Sequence, residues 1–364
     1  MSAYIHAIET AVPQYSYQQE ELRDLMKTVG NTSEKQERLI HMIYNRSGIN
    51  TRYSVVDDFR SDSKHNLFFN GHGAHPGTKN RNEVYIREGR KLFVEVAKKL
   101  INNSNFSPDE ITHLITVSCT GFYAPGPDYD IIKSVGLDKS IQRYHLGFMG
   151  CYAVIPGLKM AEQFCKADKN ANVLVISTEL CTIHFQGGNK TDDLVSSSVF
   201  ADGAAGVIIS SKKPANKTCY KIDSFASSIT EKGKDDMAWV IGDTGFNMVL
   251  SSYVPQILSD GLEPFLTPIL NKHSLKLEDI DLWGVHPGGR AILDKVEQTL
   301  QLDTSLLSAS RTVLADYGNM SSATVLFVLK ELLELPSDKQ QQKTLALAFG
   351  PGLTIESALL TKIT

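Results

Sequence analysis

Two stretches of the chain follow one plan, and that echo constrains the fold more than any other feature. Residues 108 to 121 read PDEITHLITVSCTG and residues 277 to 289 read LEDIDLWGVHPGG. Each runs from an acidic start through a short apolar strand into a polar, glycine-bearing turn, and each follows a helical stretch. Two related α/β halves would produce this pattern, with equivalent strand ends facing one another across a pseudo-twofold axis; chance likeness of two α/β units is the alternative. In either case the turns after these strands are where chemistry is expected, because open parallel sheets bind ligands beyond their carboxyl ends.

The rest of the chain supports an α/β reading. β-Branched apolar runs predict buried strands at 113–118, 172–178, 203–210, 281–286 and 344–350, and amphipathic periodicity predicts helices at 84–103, 155–167 and 321–334, with Ser321 as the cap of the last. At 364 residues and 42% hydrophobic, the chain is long enough for two core-forming units. A net charge of −4 provides no basic field for nucleic acid or an anionic membrane, so any phosphate contact must be local. The N-terminal residues lack the pattern of a secretory signal, and no apolar run spans a bilayer, which predicts a soluble, cytoplasmic protein without a membrane partner. The five cysteines, Cys119, Cys151, Cys165, Cys181 and Cys219, have no paired or zinc-like spacing and read as reduced thiols. The polar segment 57–82 holds His65, His72 and His75 without a common strand or helix spacing, so it reads as a surface excursion and not as a metal site.

Three turns stand at the ends of apolar runs: GFMGCYA around Cys151, GVHPGGR around His286 and ADYGNMSSA around Asn319. Taken singly, the cysteine reads as a small buried hydrophobe, the histidine as a core residue satisfied by backbone, and the asparagine as a helix cap. Together they supply a thiol, an imidazole and a carboxamide, the set that covalent acyl transfer requires. The thiol takes up an acyl group as a thioester, the other two donate hydrogen bonds to an oxyanion, and an apolar pocket protects the intermediate. A thiol at the start of a helix is also expected to have a lowered pKa.

These turns, with the terminal loop AFGPGLTIES and the block from VLVISTELCTIHF to VFADGAAGVII, resemble the signature segments of type III polyketide synthases, the chalcone-synthase-like branch of the thiolase fold. The resemblance runs from about residue 3 to 360. It implies an α/β thiolase-like fold with layered αβαβα architecture and two pseudo-duplicated halves, 1–220 carrying Cys151 and 221–364 carrying His286 and Asn319. It also implies iterative decarboxylative condensation of malonyl-CoA onto an acyl-CoA or malonyl starter held on Cys151, followed by cyclisation to a pyrone, resorcinol or phloroglucinol. In that reading the Cys151 thiolate pairs with His286, and His286 and Asn319 stabilise the malonyl enolate. Acyl-CoA and malonyl-CoA are the substrates, no metal or other cofactor is needed, and the enzyme is a homodimer.

The same resemblance assigns the pocket. Phe200 matches the phenylalanine at the mouth of the CoA tunnel, whereas Met248 stands where a second gatekeeping phenylalanine is expected, with Phe246 two residues earlier. Cys119, Cys181 and His184 occupy positions where small hydroxyl residues are common, and Glu179, Gly350 and Pro351 are expected beside them. Strand alternation would put Glu179 and Cys181 on one face and His184 on the other; His184 then either titrates beside the growing chain or points into structure. Ala124 replaces a methionine that plant enzymes extend into the partner's cavity. At the CoA entrance Arg46 and Ala291 match, with Lys35, Arg38 and Arg52 as possible substitutes for other basic residues. The rival readings are a β-ketoacyl-carrier-protein synthase III performing one condensation and a catalytically silent thiolase-fold scaffold.

Overall fold

The computed structural model describes residues 2–28, 32–60, 67–68, 76–188, 190–215, 217–230, 233–234, 236–251 and 254–364. His65, His72 and His75 lie outside the described residues. The strands are β1 (Ala3–Ala11), β2 (Tyr15–Gln18), β3 (Thr51–Ser54), β4 (His113–Ser118), β5 (Gln142–Gly147), β6 (Asn172–Leu180), β7 (Asp202–Ser210), β8 (Cys219–Ile229), β9 (Met237–Gly242), β10 (Gly245–Leu250), β11 (Leu282–Val285), β12 (Gln341–Gly350) and β13 (Thr354–Ile363). The helices are α1 (Gln19–Thr28), α2 (Glu34–Asn45), α3 (Thr78–Val84), α4 (Arg90–Asn103), α5 (Pro127–Val135), α6 (Val154–Ala167), α7 (Thr191–Val199), α8 (Val254–Lys272), α9 (Arg290–Leu300), α10 (Ser308–Tyr317) and α11 (Thr324–Glu334).

Nine strands form one sheet in the order β11-β12-β13-β8-β1-β7-β6-β4-β5. Read outward from the centre, each side places two antiparallel neighbours and then a parallel one: β1, β7, β6, β4 on one side and β8, β13, β12, β11 on the other. The sides join through a short antiparallel contact, Ala3 opposite Ile222 and Ile5 opposite Tyr220. The echo in the sequence occupies matching places, since a single 3₁₀ turn precedes both β4 (Pro108–Glu110) and β11 (Leu277–Asp279).

Alternation along the strands creates the layers. In β6, Val173 and Val175 face the central core with α6 and α11, while Leu174 and Ile176 face outward to α4. In β12, Ala346 and Ala348 face the same central core, while Leu345, Leu347 and Phe349 pack outward with α8 and α9. Two sheet limbs around a central helical layer, each covered outside by further helices, give the αβαβα arrangement of the thiolase fold. Local chemistry sets the helix ends: Ser33 and Gln36 form a capping box on α2, and α5 opens with Pro127 and closes at Gly136 with φ +80°.

Some boundaries differ from the sequence expectation. The helix expected at 84–103 opens earlier, as α3, and passes through a π-helical turn, Tyr85–Gly89, before α4. Ser321 does not cap the last helix. It lies in a 3₁₀ turn, Ser321–Ala323, ahead of α11 and has φ +49°, which a cap would not adopt.

Candidate active site

Each of the three expected turns is held by its backbone. The Cys151 turn leaves β5 through Phe148 and Gly150, at φ +61° and +91°. A Cβ on Gly150 would fall 2.2 Å from Pro351 Cδ, so only glycine lets the terminal loop close on this turn. The Gly150 N–H also donates to Cys119 Sγ at 2.9 Å. His286 follows β11, and its N–H donates to the Leu347 carbonyl at 2.8 Å. The Asn319 N–H donates to the Val199 carbonyl and its own carbonyl accepts from the Ala201 N–H, both at 2.9 Å, so the Phe200 and Asn319 segments are zipped together.

The side chains meet in one cavity of about 640 Å³, lined by Cys119, Cys151, Cys181, His184, Phe200, Met248, His286, Asn319, Pro351, Arg46 and Ala291 among others. Asn319 Nδ2 donates to the Gly288 carbonyl at 3.1 Å and its Oδ1 accepts from the Ser321 N–H at 2.9 Å. These bonds fix the carboxamide, whose remaining N–H faces the Cys151 thiol. Both ring nitrogens of His286 are buried without a hydrogen-bond partner among the described residues. Burial also lowers its pKa to about 3, so the ring stands neutral and able to donate from one nitrogen.

Cys151 departs from expectation. Burial pushes its thiol up to about 11, although the Ser321 and Asn319 side chains pull the other way; the Glu179 charge adds to the rise. The thiol thus stands above its ordinary value and not below it as the helix start predicts, and no hydrogen bond joins it to His286 among the described residues. Desolvation in an apolar cavity outweighs the helix terminus.

Glu179 and Gly350 do not line the cavity. Glu179 is a fully buried brace that accepts from the Cys119 N–H at 2.9 Å, the Thr120 hydroxyl at 2.9 Å and the Ser322 hydroxyl. Burial raises its pKa to about 7. Gly350 backs the Cys151 turn, since a Cβ there would lie 2.5 Å from the Tyr152 ring and 3.3 Å from Cys151 N. The expected shared face of Glu179 and Cys181 fails because β6 ends at Leu180, with ψ 69°, and the chain turns into a 3₁₀ segment, Cys181–His184.

His184 does line the cavity, as a satisfied wall residue and not a titrating one. Its Nε2 donates to the Thr120 carbonyl at 2.8 Å and its Nδ1 accepts from the Phe246 N–H at 3.0 Å. Burial lowers its pKa to about 3. The ring stacks on Phe246 at 4.1 Å, and Trp239 stands edge-on to both. Trp239 Nε1 donates to the Cys119 carbonyl at 2.8 Å, and the ring sits opposite Met248 across the β9–β10 hairpin. Sequence reasoning missed Trp239; the hairpin turn GDTG between MAWVI and FNMVL was the available signal.

At the mouth, Arg46 and Ala291 are exposed. Arg52 also reaches the lining but is buried and committed. Its Nη1 donates to the Ser197 and Phe200 carbonyls, each at 2.7 Å, and its Nε to Gln19 Oε1 at 2.9 Å. Lys35 and Arg38 are not on the lining, and Arg38 pairs with Glu34 at 3.0 Å. Among the described residues no group of three or more His, Cys, Asp and Glu side chains is placed to hold a metal ion. No described helix is long and apolar enough to cross a membrane.

Comparison with known proteins gives consistent matches over the whole chain. Residues 1–213 match the family described as chalcone and stilbene synthases, N-terminal domain, and residues 222–364 match its C-terminal domain. The chain is 30% identical over 362 residues, 98% of this chain and 90% of the relative, to the alpha-pyrone synthesis polyketide synthase-like Pks18 of Mycobacterium tuberculosis. Its fold is similar to that of PKS-I from the brown alga Ectocarpus siliculosus, with a TM-score of 0.92 at 29% identity, covering 100% of this chain and 98% of that one. It is similar too to the C-terminal type III polyketide synthase domain of Steely1 from Dictyostelium, with a TM-score of 0.92 at 27% identity, covering both chains fully, 100% and 100%.

Proposed function

This chain is a type III polyketide synthase of the chalcone and stilbene synthase family, an acyltransferase that condenses malonyl-CoA units iteratively, and from that premise we propose that Cys151, His286 and Asn319 carry its chemistry. The observation behind this assignment is the convergence of these three turns on one apolar cavity, with the His286 nitrogens unpartnered among the described residues and the Asn319 carboxamide beside the Cys151 thiol. A starter acyl group moves from CoA sulfur to Cys151 sulfur, and the thiol proton passes to the departing CoA thiolate. Malonyl-CoA then enters with its thioester oxygen facing the N–H of neutral His286 and the second N–H of Asn319. Loss of carbon dioxide leaves an enolate on that oxygen, which these donors stabilise. The enolate carbon attacks the Cys151 thioester, and the thiolate it releases takes the lengthened chain back from CoA for the next round. A neutral imidazole suits this task, since an N–H donor aimed at the developing charge needs no proton exchange during the step.

Arg46 at the mouth would pair with a CoA phosphate, with Ala291 on the first turn of α9 beside it. CoA thioesters are the substrates, and we propose that no further cofactor takes part. Residues 1–220 and 221–364 form two related halves in this reading, which the mirrored strand order supports. A homodimer is part of the proposal. Its support is β5, an edge strand with a half-exposed face, close to exposed Phe122 and Tyr129. Ala124 is exposed there and too short to reach a partner's cavity. A cytoplasmic location remains part of the same proposal. Among pyrone, resorcinol and phloroglucinol products, the alpha-pyrone synthesis ascribed to the mycobacterial relative puts a pyrone first.

Mass spectrometry of the protein incubated with malonyl-CoA and a panel of acyl-CoAs tests this reading. Products longer than one condensation and an acyl adduct on Cys151 are expected, and Cys151→Ala should form no polyketide. A single condensation that needs acyl carrier protein would move the chain to the β-ketoacyl synthase III reaction, and no adduct at all would make it a silent scaffold.

A further inference from the structure

Three serines follow one another near the end of α7, and the fold uses them differently. The Ser197 hydroxyl donates to the Leu194 carbonyl at 2.9 Å and the Ser198 hydroxyl to the Val195 carbonyl at 2.7 Å, bonds back to the preceding turn of the kind helical serines make. Ser196 makes no such bond. Its hydroxyl oxygen is buried without a hydrogen-bond partner among the described residues, and the residue stands on the wall of the cavity that contains Cys151. An unpartnered buried hydroxyl is costly, so a ligand that accepts from it recovers a bond the protein leaves unmade. We propose that the Ser196 hydroxyl donates to a β-keto oxygen of the chain growing on Cys151, which makes it a positioning residue for extension. The proposal rests on the reading that Cys151 carries that chain.

The chemistry of the wall selects this partner. A poly-β-keto thioester carries a carbonyl at every second carbon and, in its keto form, no N–H or O–H, so it can only accept. Asp192 and Asp193 line the same flank of α7, but their carboxylates accept as well. Other donors on the wall are committed: Trp239 Nε1 to the Cys119 carbonyl, His184 Nε2 to the Thr120 carbonyl, and the Thr182 hydroxyl to Asp202. Placement supports the same partner. The Phe200 N–H donates to the Ser196 carbonyl at 3.2 Å, which sets Ser196 one helical turn, about 5.4 Å of rise, before the segment zipped to Asn319. Arg52 clamps the Ser197 and Phe200 carbonyls and Gln19 Nε2 clamps the Ser198 carbonyl at 2.7 Å, so this end of α7 is held fixed relative to the enolate donors. Ser196 is half-buried and has a single side-chain torsion, so presenting its oxygen to a chain needs no backbone movement. The bond becomes available only after a first condensation has made a β-ketone, and its effect therefore falls on later rounds.

The test compares wild type, Ser196→Ala and Ser196→Thr with malonyl-CoA alone and with acetyl-CoA or hexanoyl-CoA as starter, reading released products by mass spectrometry, carbon dioxide release and the KM for malonyl-CoA. In the alanine variant the ratio of products with two or more extensions to those with one should fall about two- to tenfold per carbon dioxide released. Threonine keeps the hydroxyl and should restore the ratio. Alanine favours a helix, so folding is not at stake. An unchanged ratio in the alanine variant overturns the proposal, and so does an equal fall in both variants, which would make the position one of packing. A raised KM for malonyl-CoA at an unchanged ratio also overturns it, because the hydroxyl would then serve a pantetheine amide carbonyl of CoA. If the wild type itself forms no polyketide and no Cys151 adduct, the catalytic reading fails, and the role of Ser196 fails with it.

Discussion

Replacing Glu179 with glutamine should remove one proton-linked contribution to the stability of this protein. The carboxylate is fully buried, and burial raises its pKa from 4.5 to about 7 against the hydrogen bonds that favour its charged form. The folded protein therefore holds this proton more tightly than the unfolded chain does. The stabilisation is complete below about pH 4.5 and is lost as pH rises through about 7. At about 1.4 kcal/mol per pH unit the interval amounts to about 3 kcal/mol. Glutamine can occupy the same site, with its oxygen accepting from the Cys119 N–H and the Thr120 hydroxyl and its NH₂ facing Ser322, whose hydroxyl can turn to Ser177 at 2.8 Å. Urea unfolding of both proteins at several values between pH 5 and 8 reads the effect. The variant should gain on the wild type by about 3 kcal/mol across that range. Asp202, raised to about 6 by burial, titrates in both proteins and cancels from the difference. A difference that stays constant with pH would refute the reasoning.

Alkylation of Cys151 by iodoacetamide should accelerate about tenfold per pH unit from 7 to 9, because its thiol is pushed up to about 11; a plateau near pH 7 would mean the thiolate already exists in the empty site. Arg52→Met strips the Ser197 and Phe200 carbonyls and Gln19 of their donor, so it should cost at least about 3 kcal/mol and lower the thermal midpoint, which calorimetry reads; an unchanged midpoint would deny the bracing role. Trp239→Ala should enlarge the cavity beside His184 and Phe246 and move products to heavier masses in two-carbon steps, and an identical product spectrum would make the indole irrelevant to chain length.

How far the fold was legible depended on how each strand solves its burial. β4, β6, β7, β11 and β12 announce themselves as β-branched or apolar runs because both faces are covered by helices. β5 gives no such signal, since its sequence QRYHLG sits at the sheet edge with half its surface in solvent. β13 is buried yet reads as TIESALLTKI, which suggests a surface strand. Its charges are satisfied by partners no local pattern reveals: Glu356 accepts from the Ser227 hydroxyl at 2.5 Å, and Lys362 donates to the Leu332 and Leu335 carbonyls at the end of α11, at 3.0 and 2.6 Å.

At the site the sequence named groups that the fold brings to one cavity, but not the balance of forces on them. A helix N-terminus contributes about 0.3–1 kcal/mol to an anion, and at most about 2, which is little more than one pH unit. Burial at Cys151 acts in the opposite direction and wins, as the rise from 9.0 to about 11 records. His184 has the same lesson in reverse. An imidazole near a growing polyketide reads as a titrating group until both nitrogens are seen to be used, by the Thr120 carbonyl and the Phe246 N–H. His286 has the same residue type, the same cavity and a similar depression to about 3. What separates the two rings is that the His286 nitrogens have no hydrogen-bond partner among the described residues. That distinction rests on three-dimensional neighbours alone, and it is what supports proposing His286, and not the already satisfied His184, as the donor.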